Sequence, residues 1–204
     1  MEKILPGGWT DYYKIRYNHP ARKTLIKGLE YFDNFQIKLP KIAVDIGCGQ
    51  GSDIAELINQ SWTVIGIDKE KEAIGILTDR FNEYVGDRLT IIQSEMEEVS
   101  IQPASLVNAS YSLPFCNPEN FIELWNKIDS SLPINGIFCG QLFGVNDSWS
   151  INSEMTFHDN NQVQKLFEQY EFIYFRELEE DGETALNNKK HWHIFHIAAI
   201  KQNK

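Results

Sequence analysis

The sequence predicts an α/β fold, a three-layer domain built on a largely parallel sheet. An apolar run at residues 42–46, broken only by Asp45, passes directly into the glycine turn Gly47-Cys48-Gly49-Gln50-Gly51. Strand-like and helix-like periods then alternate as far as about residue 92. No internal repeat, low-complexity tract or linker divides the 204 residues, so a single domain over 1–204 is expected.

Each element has its own signal. The segment 21–35 sets Leu25, Ile26, Leu29 and Phe32 at helical spacing and is stopped by Pro40. Residues 1–35 are expected to form an N-terminal helical lid or cap whose aromatic face is Trp9, Tyr12, Tyr13 and Tyr17. The run 42–46 lacks polar alternation, the mark of a strand covered on both faces. After the turn, Ile54, Leu57 and Ile58 mark a short helix, 63–67 a second strand, Ala73, Ile74, Leu77 and Phe81 a helix over 69–83, and 89–92 a third strand. Short connections between parallel strands require right-handed crossovers.

The second half continues the theme. A fourth strand is expected at about 105–110, and Asn117 caps a helix with Pro118 at its first position and Phe121, Leu124, Trp125 and Ile128 on one face. A fifth strand follows at 137–142, then a helix near 160–169. Residues 171–178 and 193–201 read as a final hairpin, with the acidic stretch Glu179-Glu180-Asp181-Gly182-Glu183 as part of its solvated loop.

Composition narrows the function classes. Nineteen Lys and Arg against 29 Asp and Glu give a net charge of −10, which repels a nucleic-acid backbone or an anionic membrane surface and favours a small molecule as partner. The first eight residues lack a secretory apolar stretch and no 18-residue apolar run occurs, so a cytoplasmic location is expected. Cys48, Cys116 and Cys139 are far apart, with no CxxC pair, and predict neither a disulfide framework nor a metal site.

The chemistry concentrates at the glycine turn. Glycines there let the backbone approach a ligand closely, at the carboxyl end of a strand where binding crevices of open α/β sheets form. Asp68 ends the second strand, 21 positions beyond Gly47, where a carboxylate can accept both hydrogen bonds of a ribose diol. A dinucleotide fingerprint places a third glycine where this chain has Ser52, and Asp45 adds a carboxylate that disfavours a diphosphate and suits a cationic ligand.

On these residues the chain resembles the class I S-adenosylmethionine-dependent methyltransferases. Their first motif, (V/L)DxGxGxG, is matched by Val44-Asp45-Ile46-Gly47-Cys48-Gly49-Gln50-Gly51, and their acidic residue ending strand two falls on Asp68. The resemblance implies a Rossmann-like sheet of seven strands in the order 3-2-1-4-5-7-6 with the last strand antiparallel, S-adenosyl-L-methionine as cofactor, and methyl transfer to a small-molecule acceptor. It further implies that Gly47 and Gly49 approach the methionine part, that Asp68 holds the ribose, that Glu95 and Met96 flank adenine, that Asn108 and Ser110 form the floor, and that Asp45, Cys48 and Lys69 also belong to the cofactor-binding set. Tyr13 would lie over the cofactor as part of the lid. The ending Lys189-Lys190-His191-Trp192-His193 and the opening Trp9-Thr10-Asp11-Tyr12-Tyr13 are similar to the tellurite-resistance-type small-molecule group. The Asn/Asp-Pro-Pro-Tyr/Phe signature of nucleic-acid amino methylation is absent, the region reading Asn108-Ala109-Ser110-Tyr111.

For the transfer itself, His191 and His193 are the candidate bases, set on one face of the last strand by its alternation and able to accept a proton near neutral pH. His158 and His196 are weaker candidates, His196 reading as a hydrogen-bonded core residue of an apolar strand, and Arg16 and Arg22 read as surface residues able to pair with a cofactor or substrate carboxylate. A non-catalytic adenosine-ligand binding module and an NAD-dependent oxidoreductase are the alternatives. A monomer and a homodimer are both compatible with the sequence.

Overall fold

A computed structural model of the chain describes Trp9, Tyr12, Tyr13, Ile15, Tyr17 and residues 19–203. Thr10, Asp11 and Arg16, named above, lie outside the described residues, as do most other positions before 19.

The elements follow in the order α1 (Lys23–Asn34), β1 (Ile42–Ile46), α2 (Ser52–Asn59), β2 (Thr63–Asp68), α3 (Lys71–Arg80), β3 (Leu89–Gln93), β4 (Leu106–Ala109), α4 (Pro118–Ser131), β5 (Ile137–Gly144), β6 (Phe157–His158), α5 (Asn160–Leu166), β7 (Tyr170–Glu183) and β8 (Lys189–Lys201). Short 3-10 turns at Leu113–Phe115 and Ser148–Ile151 punctuate the second half. The sheet order is β3-β2-β1-β4-β5-β8-β7, with the two-residue β6 added to the end of β5. Strands β1 to β5 pair in parallel and β8 runs antiparallel to both neighbours. Setting β6 aside, this is the strand order expected from the sequence.

Alternate residues of each central strand feed two separate cores. Val44, Ile46, Val107, Ala109 and Phe138 face Phe121, Leu124, Trp125 and Ile128 of α4 and Val163 of α5. Ala43, Leu106, Ile137 and Cys139 face Leu25, Leu29 and Phe32 of α1 and Leu57 of α2. Both faces are thus apolar, which is why the strands carry no hydrophobic alternation in sequence. The Asn117 cap forms as expected, its side chain accepting a hydrogen bond from the Glu119 amide.

The C-terminal hairpin departs from the expectation. Residues 179–183 are strand, not loop: β7 runs through Glu183 and the turn is confined to 184–188, where the Thr184 amide donates to the Asn188 carbonyl at 2.8 Å. The ladder to β8 continues through this stretch, and His191 Nδ1 reaches Asp181 Oδ1 at 2.7 Å across it. Glu179 pairs with His193, Asp181 with His191 and Glu183 with Lys189, so three acids at strand period face three basic groups at the same period.

Candidate functional site

The turn after β1 is anchored to the end of β2 by consecutive amides. Those of Gly47 and Cys48 donate to the Ile67 carbonyl at 2.8 and 3.0 Å, and that of Gly49 donates to Asp68 Oδ2 at 2.8 Å. Gly47, Gly49 and Gly51 all have positive φ. At Gly47 (φ +68) a Cβ would collide with Ser112, whose hydroxyl donates to the Ile46 carbonyl at 2.6 Å, so only glycine fits. Asp68 Oδ1 accepts from the Glu70 amide at 2.9 Å, and the Ser94 amide donates to the Asp68 carbonyl at 3.1 Å. These bonds bring 47–49, 68–70 and 94–96 onto one crevice at the carboxyl end of the sheet.

That crevice is a cavity of about 1000 Å³. Of the residues singled out in the sequence, Trp9, Tyr12, Tyr13, Gly47, Gly49, Asp68, Lys69, Glu95, Met96 and Ser110 line it. Tyr13 is almost fully buried beside Gly49, and its phenol is pushed well above its ordinary range by burial and then by the charges of Asp68 and Glu70. Burial also raises the Asp68 carboxyl, against the lowering effect of the two amides it accepts from. Each of its oxygens accepts one of these amide bonds, and a carboxylate oxygen can accept a second. Lys69 Nζ pairs with Glu95 Oε2 at 3.4 Å across half-exposed side chains.

Asp45, Cys48 and Asn108 do not line the cavity. The Asn108 amide, fully buried, donates to Asp45 Oδ1 at 2.7 Å and to Asp53 Oδ2 at 2.9 Å, while Asp53 Oδ1 accepts from the Arg22 amide at 2.7 Å. This network ties β1, β4, α2 and the entry to α1 together behind the glycine turn. Burial, then the nearby Asp53, holds the Asp45 carboxyl far above its usual range. Burial, then Asp45, raises the Cys48 thiol in the same way.

His191 and His193 also stand off the cavity wall. They share a face of β8, as strand alternation requires, and both approach Glu179. His191 Nδ1 lies 2.7 Å from Asp181 Oδ1, which raises its pKa. His193 is buried, its Nε2 2.9 Å from Glu177 Oε1 and its Nδ1 accepting from the Asn146 amide at 3.2 Å.

The rest of the wall was not evident from the sequence. Ser112, Phe115, Trp149, Asn152, Met155, Thr184 and Asn188 line it from the loops after β4 and β5 and from the β7–β8 turn. Behind Trp149 a buried ion pair joins Lys190 to Asp147, with side chains 1% and 0% exposed. The Lys190 ammonium lies over the rings of Trp149, Trp192 and Phe143 at 3.9, 4.4 and 5.4 Å from their centroids. Asp147 also accepts from the amides of Trp149 (2.9 Å) and His193 (3.2 Å). One carboxylate therefore fastens the cavity-lining turn at 148–151 to β8. Lys190 and Asp147 are 43 positions apart, and no local pattern announces them.

A family model described as a methyltransferase domain matches residues 43–136. A carboxy-S-adenosyl-L-methionine synthase of Aliivibrio salmonicida is 27% identical over 128 residues, 60% of this chain and 53% of that protein. One from a Shewanella species is 23% identical over 182 residues, 86% of this chain and 69% of that protein. The chain thus spans about half the length of the first of these relatives. Among solved structures, TehB from Haemophilus influenzae superposes with a TM-score of 0.72 at 16% identity, covering 94% of this chain and 66% of that one. The magnesium protoporphyrin IX methyltransferase of Synechocystis, with bound SAH, gives 0.65 at 12% identity, covering 96% and 94%.

Proposed function

We propose that this chain, which has the class I S-adenosylmethionine-dependent methyltransferase fold, binds S-adenosyl-L-methionine in the cavity above β1 and β2 and transfers its methyl group to a small-molecule acceptor. One observation carries the reading: the Gly47–Gly49 turn, the Asp68 carboxylate and the segment 94–96 line a single cavity and are fastened to one another by backbone amides that donate to the Ile67 and Asp68 carbonyls and to the Asp68 carboxylate. Its volume, about 1000 Å³, stands at the upper end of the range for small-molecule sites and leaves room for an acceptor beside a nucleoside.

The residues present suit the cofactor. Asp68 would accept from the ribose hydroxyls, Glu95 and Met96 would hold the adenine, and the glycine turn with Ser110 would receive the methionine part. The Tyr13 ring, packed beside Gly49, offers a face to the sulfonium. Bound there, the cofactor supplies an electrophilic methyl group. The chain's own part is to align the acceptor behind that methyl and exclude water, which lowers the barrier without covalent participation by the protein. In this reading Asp45 and Asn108 set the turn from behind, and His191 and His193 brace the β7–β8 hairpin that carries Asn188 and Lys189 to the cavity.

Calorimetric titration with S-adenosylmethionine, S-adenosylhomocysteine and NADH tests the reading. Micromolar binding of the first two, with none of the third, is expected. Tight NADH binding without either would overturn it, and cofactor binding with no methyl transfer to any acceptor would mark a binding module instead.

A further inference from the structure

The acceptor half of the cavity has a chemistry of its own. Resting on the methyl-transfer reading, we propose that the acceptor is an uncharged planar aromatic molecule, seated against the wall to which Tyr111, Phe115 and Trp149 contribute.

The first ground is the wall. Trp9, Tyr12, Tyr111, Phe115, Trp149 and Met155 line this side of the cavity. Trp9 meets Phe115 edge to face at 5.2 Å, and Phe115 lies 6.3 Å from Trp149. Phe143 and Trp192 form a second layer beneath Trp149, at 6.0 and 5.7 Å. Offset and edge-on ring contacts of this kind are how an aromatic surface holds another flat ring.

The second is that two of these rings are held in place at a cost. Tyr111 has φ +58, a left-handed conformation that a bulky residue adopts only when its surroundings impose it. The imposing group is Gln141, 1% exposed, whose Oε1 accepts from the Tyr111 amide at 2.9 Å while its Nε2 donates to Thr24 Oγ1 at 2.9 Å. The Arg22 guanidinium covers the Tyr111 ring at 4.6 Å. Trp149 is fixed by the Asp147–Lys190 pair described above.

The third is charge. The buried cation and buried anion nearest this wall, Lys190 and Asp147, neutralise each other and are withdrawn from the cavity. Glu154 and Lys189, the charged groups lining the acceptor side, are exposed at the rim. On the cofactor side Asp68, Glu70 and Glu95 outnumber Lys69. An oxyanion acceptor would meet net repulsion from these carboxylates, and the one buried carboxylate on the cavity wall, Asp68, is engaged by the Gly49 and Glu70 amides and, in this reading, by the ribose, which leaves none for an ammonium acceptor.

The test uses the full chain loaded with S-adenosylhomocysteine and three probes, 2-naphthol, sodium selenite and benzyltrimethylammonium, followed by calorimetry. Naphthol is expected to bind, and Trp149→Ala and Phe115→Ala to weaken it at least about fivefold, with Trp149→Phe restoring most of the affinity. S-adenosylhomocysteine affinity should stay within about twofold in all three variants. Tighter binding of selenite or of the ammonium than of naphthol would overturn the proposal, as would naphthol binding that is absent or indifferent to both alanine variants. Failure of S-adenosylhomocysteine itself to bind would instead strike the cofactor reading, so the two failures are separable.

Discussion

Replacing Lys190 by methionine removes the cation from the buried pair while keeping much of its length and apolar volume. Asp147, with a side chain 0% exposed, would be left with only the amides of Trp149 and His193 as partners. Stripping one partner from a buried ion pair costs about 3–5 kcal/mol, because the remaining charge cannot return to water without unfolding its surroundings. For a chain of this size the loss corresponds to a fall in Tm on the order of 10 °C. Asp147→Asn/Lys190→Met, which removes both charges, should recover to within about 2 kcal/mol of the parent, since replacing a whole pair is far less costly than breaking it. Urea unfolding followed by circular dichroism measures both, with the m-value checked for constancy. A Lys190→Met loss below about 1 kcal/mol, or a double variant as unstable as the single one, would refute the reasoning that the pair is a desolvated clamp.

Other substitutions probe the cofactor side. Asp68→Asn keeps the shape of the side chain but presents an amide where the Gly49 or Glu70 amide needs an acceptor; S-adenosylhomocysteine affinity, read by calorimetry, should fall about 10- to 100-fold. Gly47→Ala should abolish that binding, because its Cβ meets Ser112 at a positive φ, whereas Gly75→Ala, in the exposed part of α3 with nothing near its Cβ, should raise stability by about 0.5–1 kcal/mol in the same urea assay. Burial lowers the pKa of His158 and of His196 to about 4, so both are neutral in the fold while their unfolded counterparts titrate near 6.5. The unfolded chain therefore takes up these protons first, and stability from this source falls as pH drops from about 6.5 to about 4. The urea midpoint of His158→Gln/His196→Gln should accordingly decline less over that window than that of the parent; an equal decline would remove the two histidines as its cause.

The parts of the molecule that were legible in the sequence are those governed by short-range rules. The uninterrupted apolar run at 42–46, the Asn117-Pro118 helix start and the spacing from Gly47 to Asp68 each depend on a few neighbouring residues, and each has its counterpart in the structure. The acidic stretch 179–183 carried a readable signal too, its period-2 acids matching the period-2 bases at 189–193, but composition alone suggested a loop. Asp45 stood out for its position in the glycine motif, yet the Asn108 amide that shares it with Asp53 draws it behind the turn. Beyond Trp9 and Tyr12, the aromatic wall of the cavity could not have been read in this way. Tyr111 is held by Gln141, 30 positions away, Asp147 by Lys190, 43 away, and Trp9 meets Phe115 across more than half the length of the chain. Such contacts are created by sheet order, and each residue alone looks like ordinary surface or core. Among the described residues no helix is long and apolar enough to cross a membrane.

Hydrogen exchange with and without S-adenosylhomocysteine would show directly whether the glycine turn and Asp68 grasp one adenosyl ligand. Slowed exchange is expected together in 47–53, 67–70 and 94–97, and none at the separate depression formed by Glu30, Lys41 and Gln60. Protection confined to other segments, or protection of the turn without that of 67–70, would contradict the assignment.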